Sequence, residues 1–149
     1  MPRRLTGVLA VFVALALLVG GGLPATAKER RFRIIVHPTV QGSQIPREIL
    51  SAIFLRSSRQ WGNGEPIEPA DQSVRSPVRI AFTLDVHERS MVEIQVLWQR
   101  QVMAGVTPPP VKTSDEDVIA FVASTQGAIG CIAAETPLPG TVRTLTLLD

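Results

Sequence analysis

Two stretches of this 149-residue chain have the same order of parts. In each, an apolar run with helical spacing is followed by a turn that contains glycine and then by a short extended run. The stretches are residues 52–69 and residues 118–133. A short apolar run that follows a helix and a turn is typical of a strand buried in a sheet. The pattern therefore favours an α/β fold in which helices cover a sheet.

Strands separated by helices account for most of the chain. Periodicity predicts strands at residues 32–37, 67–70, 127–133 and 142–147, and helices at residues 46–55, 91–103 and 114–124, with a further helix beginning at Ser76. Ser76 before Pro77, and Ser114 later in the chain, are residues suited to the starts of helices. Because the first strand is apolar on both faces, we predict a three-layer α/β sandwich with a mixed sheet.

The first 27 residues have the order of a secretory signal. Two arginines precede an apolar run at residues 8–19, and small residues follow as far as Ala27, where cleavage is expected. The alternative is a retained membrane anchor, because the apolar segment approaches the ~20 residues that span a bilayer. We expect a periplasmic protein with one domain, residues 28–149, which contacts the membrane only through an uncleaved signal.

Charge and cysteine usage narrow the class of partner. The signal holds two of the fifteen basic residues and none of the thirteen acidic ones, so residues 28–149 carry thirteen of each. A nucleic-acid-binding domain is expected to keep a basic surplus on one face, and only Arg30, Arg31 and Arg33 form a dense group here. The single Cys131 excludes an intramolecular disulfide. We therefore expect one core-stabilised domain without a nucleic-acid partner.

No group of residues supports catalysis. Cys131 lies in an apolar run and is interpreted as a small buried hydrophobic residue rather than a thiolate. His37 and His87 are the two histidines, and the acidic neighbours of His87 do not share a helix face with it, as metal ligands would. No glycine-rich phosphate loop or serine elbow occurs. We predict a protein that is not an enzyme and has no cofactor or metal.

In order and spacing, the two stretches resemble the substrate-binding proteins of bacterial phosphate importers. The residues that carry the resemblance are Trp61, Gly62, Asn63 and Gly64 in the first stretch and Gly127, Ala128, Ile129 and Gly130 in the second. The likeness is to one part of that family, the inserted lobe of a two-lobed type 2 periplasmic binding protein. It implies the same three-layer architecture. The glycines of the second stretch are interpreted as folding residues that let a strand pack closely.

The resemblance also implies an anion site where the helix begins at Ser76. The family holds phosphate there with an arginine, a serine, a glycine and a threonine, because free N–H groups and the helix dipole favour an oxyanion. Ser76 falls on the family's serine, whereas Gln72, Pro77 and Val78 replace its arginine, glycine and threonine. The candidate ligands for phosphate or another small oxyanion are therefore Ser73, Arg75, Ser76 and Arg79.

Two interpretations of function stay open. In the first, the lobe binds an oxyanion at the helix start, and a second copy or another protein completes the cleft. In the second, the lobe has lost ligand capture and is a periplasmic interaction or sensory module, which the departures from the family's pattern favour. The first requires Arg75, Ser76 and Arg79 to converge on one concave spot, and divergence of these side chains favours the second.

Overall fold

The computed structural model describes residues 28–149, so the predicted signal lies outside the described residues. The strands are β1 Phe32–Val36, β2 Gln44–Pro46, β3 Glu68–Gln72, β4 Val111–Lys112, β5 Ala128–Ala133 and β6 Arg143–Leu148. The helices are α1 Arg47–Phe54, α2 Pro77–Phe82, α3 Met91–Met103 and α4 Asp115–Ser124, and a π-helical turn, Thr83–His87, continues α2. Within residues 28–149, no helix has the length and apolar character needed to cross a membrane.

The strands form one mixed sheet in the order β2-β6-β1-β5-β3-β4. β1 is antiparallel to both of its neighbours, β5 and β6, whereas β3 is parallel to both β4 and β5. The carboxyl ends of β3, β4 and β5 therefore lie at one edge of the sheet. The mixed sheet predicted from the sequence is confirmed.

Helices cover both faces of this sheet. One apolar cluster joins α1 and α2 to the sheet, and a second cluster joins α4 to the opposite face. β1 shows the division, because Ile34 and Val36 belong to the first cluster and Ile35 belongs to the second. Successive side chains of a strand point to opposite faces, so a strand between two helical layers must be apolar throughout. The continuous apolar run of β1 is explained by this position.

Three local features differ from the sequence-based expectation. β2 and β4 have three and two residues, which is too few to give an apolar period. The helix that begins at Ser76 changes to a π-helical turn at Thr83. Within the predicted helix 46–55, the apolar Ile49 is exposed because Leu50 and Ile53 set the buried face of α1.

Candidate functional site

The carboxyl ends of β3 and β5 are adjacent, and α2 and α4 cover opposite faces of the sheet beside them. In open α/β sheets, ligands bind outside the strand ends at such a point. A cavity of about 820 Å³ lies here, between Gln72 of β3, Ser76 before α2 and Asp115 of α4. We name it the strand-end cleft; its other lining residues are Glu29, Arg30, Arg31, Pro77, Val78, Ser114, Ala133, Ala134 and Glu135.

Ser76 is the N-cap of α2, as the serine before proline predicted. Its Oγ accepts a hydrogen bond from the backbone N–H of Arg79 at 3.4 Å. The hydroxyl also donates to Oε1 of Gln72 at 2.7 Å. A serine hydroxyl has one proton to donate, so this proton is directed to another side chain of the same chain.

Gln72 connects the start of α2 to the start of α4. Its side chain is buried, and its Nε2 donates to Oδ1 of Asp115 at 2.7 Å and to the backbone oxygen of Cys131 at 2.9 Å. An amide NH₂ group has two protons, and both are used here. Gln72 therefore has no donor left for a ligand in this arrangement.

Asp115 places a negative charge in the strand-end cleft. Besides Gln72, its donors are the backbone N–H of Ala133 at 3.0 Å and the hydroxyl of Thr136 at 2.6 Å, both on Oδ2. The carboxylate also lies in the first turn of α4, where the positive end of the helix dipole favours an anion. Amide, hydroxyl and helix-start contacts of this kind are those that hold a bound oxyanion. Here they hold a carboxylate of the chain itself.

Arg79 is directed away from the strand-end cleft. Its side chain is 5% exposed, and Nε lies 2.6 Å from Oδ1 of Asp71 in an ion pair. The guanidinium donates to the hydroxyl of Thr83. Burial raises the pKa of Asp71, and the charge of Arg79 and the N–H of Gln72 offset only part of this effect. The buried Arg79 is therefore the partner of Asp71, an acid that is mostly enclosed.

The other two candidate ligands also lie elsewhere. Ser73 accepts a hydrogen bond from the backbone N–H of Arg75 at 3.3 Å, and the Arg75 side chain is exposed. Ser73 and Arg79 line a second cavity of about 1020 Å³, the α3 groove, between α3 and the β3–β4 edge. Of the four predicted site residues, only Ser76 lines the strand-end cleft. The structure does not bring the four side chains to one spot.

The charges around the strand-end cleft do not favour an anion. Its lining includes three acidic and two basic residues: Glu29, Asp115, Glu135, Arg30 and Arg31. Of the two arginines, Arg30 donates to Asp85 at 2.9 Å and also to Asp149. Hydrogen bonds from Lys28 and Arg30 lower the pKa of Asp85, although burial alone would raise it. The charge of Arg30 is therefore already paired.

Cys131 lies in β5 beneath the cleft and is buried, as its apolar surroundings in the sequence indicated. Burial raises the pKa of its thiol well above the usual value. A protonated, enclosed thiol is not a nucleophile. Among residues 28–149, no three acidic, histidine or cysteine side chains are grouped so as to hold a metal ion.

His87, at the end of the π-helical turn, is the one buried histidine of the described residues. Its Nδ1 pairs with Oγ of Ser51 at 2.8 Å, and its ring packs edge-on against Phe82. Within the described part of the chain, its buried Nε2 has no hydrogen-bond partner. Burial, followed by the charges of Arg79 and Arg89, lowers the pKa of His87 to about 3.

We expect the free energy of unfolding to fall as the pH decreases from 6.5 towards 3. The unfolded chain binds a proton on His87 near pH 6.5, whereas the folded chain binds it near pH 3. The stability present above pH 6.5 is therefore lost across this window, with a slope of up to about 1.4 kcal/mol per pH unit. Urea unfolding of the protein and of His87→Gln at a series of pH values measures this. The free energies of unfolding of the two proteins should converge or cross at low pH. A difference between them that does not change with pH would contradict the low pKa of His87.

No protein-family model and no curated protein matches the sequence. Solved structures are similar in fold. An ABC-type phosphate transport receptor from Vibrio cholerae has a TM-score of 0.61 and 16% identity over 78% of this chain and 45% of that one. PstS from Borrelia burgdorferi has a TM-score of 0.61 and 16% identity, over 78% and 47%. A phosphate ABC transporter substrate-binding protein from Clostridium perfringens, with bound phosphate, has a TM-score of 0.59 and 15% identity, over 78% and 44%.

The chain spans less than half the length of each of these binding proteins. At such low identity, the likeness shows the fold, and the residues of the site have to be judged from their own geometry. The resemblance predicted from the two glycine-containing stretches is confirmed at this level. The chain has the fold of one lobe of the phosphate ABC transporter substrate-binding proteins.

Proposed function

We propose that this chain is an exported, non-catalytic binding lobe that acts by contact with another protein and does not capture free phosphate. The observation that carries the proposal is the position of Asp115. Its carboxylate accepts hydrogen bonds from Gln72, Ala133 and Thr136 in the strand-end cleft, and the Ser76 hydroxyl is directed to Gln72. Export is inferred from the order of charged, apolar and small residues at positions 1–27.

Electrostatic repulsion supports this proposal. Two unit charges of the same sign 4 Å apart repel each other by about 4 kcal/mol at an effective dielectric constant of 20. A dissociation constant of 1 μM corresponds to about 8 kcal/mol, so an anion beside Asp115 would forfeit about half of such a binding energy. Arg75 does not line the cleft and Arg79 is already paired, so neither provides compensation.

The geometry of a single lobe supports a protein partner. Two-lobed binding proteins enclose a ligand by closing two walls around it, which excludes water and strengthens each polar contact. Residues 28–149 form one such wall. Another protein that covers the strand-end cleft would bury the exposed Arg31 and Glu29 of its rim, which are suited to polar contacts.

Phosphate binding is the second candidate function. Two observations favour it: Ser76 starts a helix at the wall of the cleft, and a structural neighbour contains bound phosphate. In this case, Gln72 would have to release Ser76, and Asp115 would have to move or take up a proton. The two candidate functions therefore differ in whether the hydrogen bonds around Asp115 stay intact.

Thermal unfolding in phosphate, sulfate and chloride at equal ionic strength separates the two candidates. A ligand at about 100 times its dissociation constant stabilises the folded state by about 2.7 kcal/mol, which raises the Tm by several degrees. We expect the same Tm in all three salts. A rise specific to phosphate that disappears in Ser76→Ala, but persists in the exposed control Ser43→Ala, would contradict the proposal.

A further inference from the structure

α3 presents a row of exposed apolar side chains that the fold does not use. The helix has 13 residues and is about 20 Å long, and Ile94 is its one fully buried residue. Four exposed residues lie along its outer side: Val92, Val96, Gln99 and Met103. We name this row the α3 seam. Val92 is 67% exposed, Val96 42% and Met103 89%.

The spacing within the α3 seam is that of a helix that packs on another helix. Consecutive members are separated by four, three and four residues, which is the repeat by which paired helices keep apolar side chains between them. Single exposed apolar residues are normal on a protein surface, but a contiguous row marks an interaction site. The members of the seam are uncharged, and Glu93 and Arg100, which have opposite charges, each follow a member by one position and so border one side of the seam, where paired helices carry charged residues.

The α3 seam also forms part of the rim of the α3 groove, because Gln99 and Met103 line both. Trp98 and Val102 lie within this groove, beside the seam. A second helix laid along the seam would therefore reach the mouth of the groove as well. This contact would bury more apolar surface than the seam alone provides.

We propose that α3 pairs with α3 of a second copy of this chain through the α3 seam. A two-fold contact brings the same patch of both copies together, so one chain supplies both uncharged helical rows. Residues 28–149 carry equal numbers of basic and acidic residues, so the copies have no net charge that would keep them apart. Gln99 places one polar side chain within the seam, which in paired helices fixes the register at some expense of stability.

This proposal goes beyond the function proposed for the strand-end cleft. No member of the α3 seam lines that cleft. Phosphate binding and self-association are therefore separate measurements, and the failure of one proposal leaves the other standing.

Sedimentation equilibrium tests the pairing. The full chain, residues 1–149, is expressed and measured over a wide range of protein concentrations. Each variant is expressed as the same full chain and measured in the same way. We expect a reversible dimer that Val96→Glu weakens about 30-fold or more, since a charge at the centre of a contact acts at a hot-spot position. Leu84→Glu, at a similarly exposed apolar residue outside α3, should leave the dimer unchanged.

Two further variants make the test specific. Met103→Glu replaces the most exposed member of the seam and should also weaken the dimer, without a risk to the core. Gln99→Leu removes the polar member and should strengthen association. A monomer at every concentration would overturn the proposal. A dimer that Val96→Glu and Met103→Glu leave intact, or that Leu84→Glu weakens equally, would overturn it too.

Discussion

Replacement of Asp71 with alanine is expected to lower the free energy of unfolding by about 3–5 kcal/mol, the usual effect of removing one member of a buried ion pair. The Arg79 side chain is 5% exposed, and its Nε lies 2.6 Å from the lost carboxylate. A guanidinium stays charged at any pH at which proteins fold, so Arg79 would remain as an uncompensated buried charge. Chemical denaturation followed by circular dichroism measures the loss.

The reverse replacement should have a smaller effect. In Arg79→Met, the acid that remains can be neutralised by a proton, because burial already raises the pKa of Asp71. The double variant Asp71→Leu with Arg79→Met should recover most of the stability, since well-packed apolar residues replace such pairs at little loss. Equal losses for the two single variants, or losses that add in the double variant, would mean that the pair is not coupled in this way.

Replacement of Gly127 with alanine should also lower stability, by about 2–5 kcal/mol, as left-handed backbone strain adds to an overpacked contact. Gly127 has a φ of +73°, and a Cβ built on it would lie 2.1 Å from the backbone oxygen of Pro66. Its own carbonyl accepts hydrogen bonds from the Trp61 indole at 2.9 Å and from the backbone N–H of Glu68. Gly127 therefore joins the start of β5 to the turn that precedes β3.

Gly64→Ala is the matched control for Gly127→Ala. Gly64 also has a positive φ, +86°, but a Cβ there would meet nothing within 4 Å. Its replacement should lower stability by about 1–2 kcal/mol, the contribution of backbone strain alone. If both variants lost the same stability, the close approach to Pro66 would not be what requires glycine at position 127.

Local patterns predicted the larger elements well. α3 has the bounds that its periodicity gave, and the serine caps of α2 and α4 lie where Ser76 and Ser114 placed them. β2 and β4 were missed because each is held by a neighbouring strand that is distant in sequence. A strand of two or three residues has no periodicity of its own.

The site was harder to predict, because its bonds join distant parts of the chain. Asp115 is an acid in the first turn of α4, and its contact with Gln72 crosses 43 residues, which no local pattern shows. Arg79 was expected to be a ligand, and its burial against Asp71 depends on how α2 follows β3. The replacement of the family's arginine by Gln72 was the one signal in the sequence that pointed to this network.

The network around Asp115 also explains how the hydrogen-bond donors of the strand-end cleft are satisfied without a bound anion. In this arrangement, the donors at the starts of two helices are used by side chains of the chain itself. Removal of the carboxylate should therefore leave the donors of Gln72, Ala133 and Thr136 unpaired. Unpaired buried donors lower stability, and an anion from solution can satisfy them.

Thermal unfolding of the protein and of Asp115→Ala, each in phosphate and in chloride at equal ionic strength, tests this account most directly. We predict that Asp115→Ala is less stable in chloride and that phosphate raises its Tm, because the added anion takes the place of the missing carboxylate. The unaltered protein should show no difference between the two salts. A phosphate-specific rise in the unaltered protein that Asp115→Ala abolishes would contradict the account and would make Asp115 part of a phosphate site.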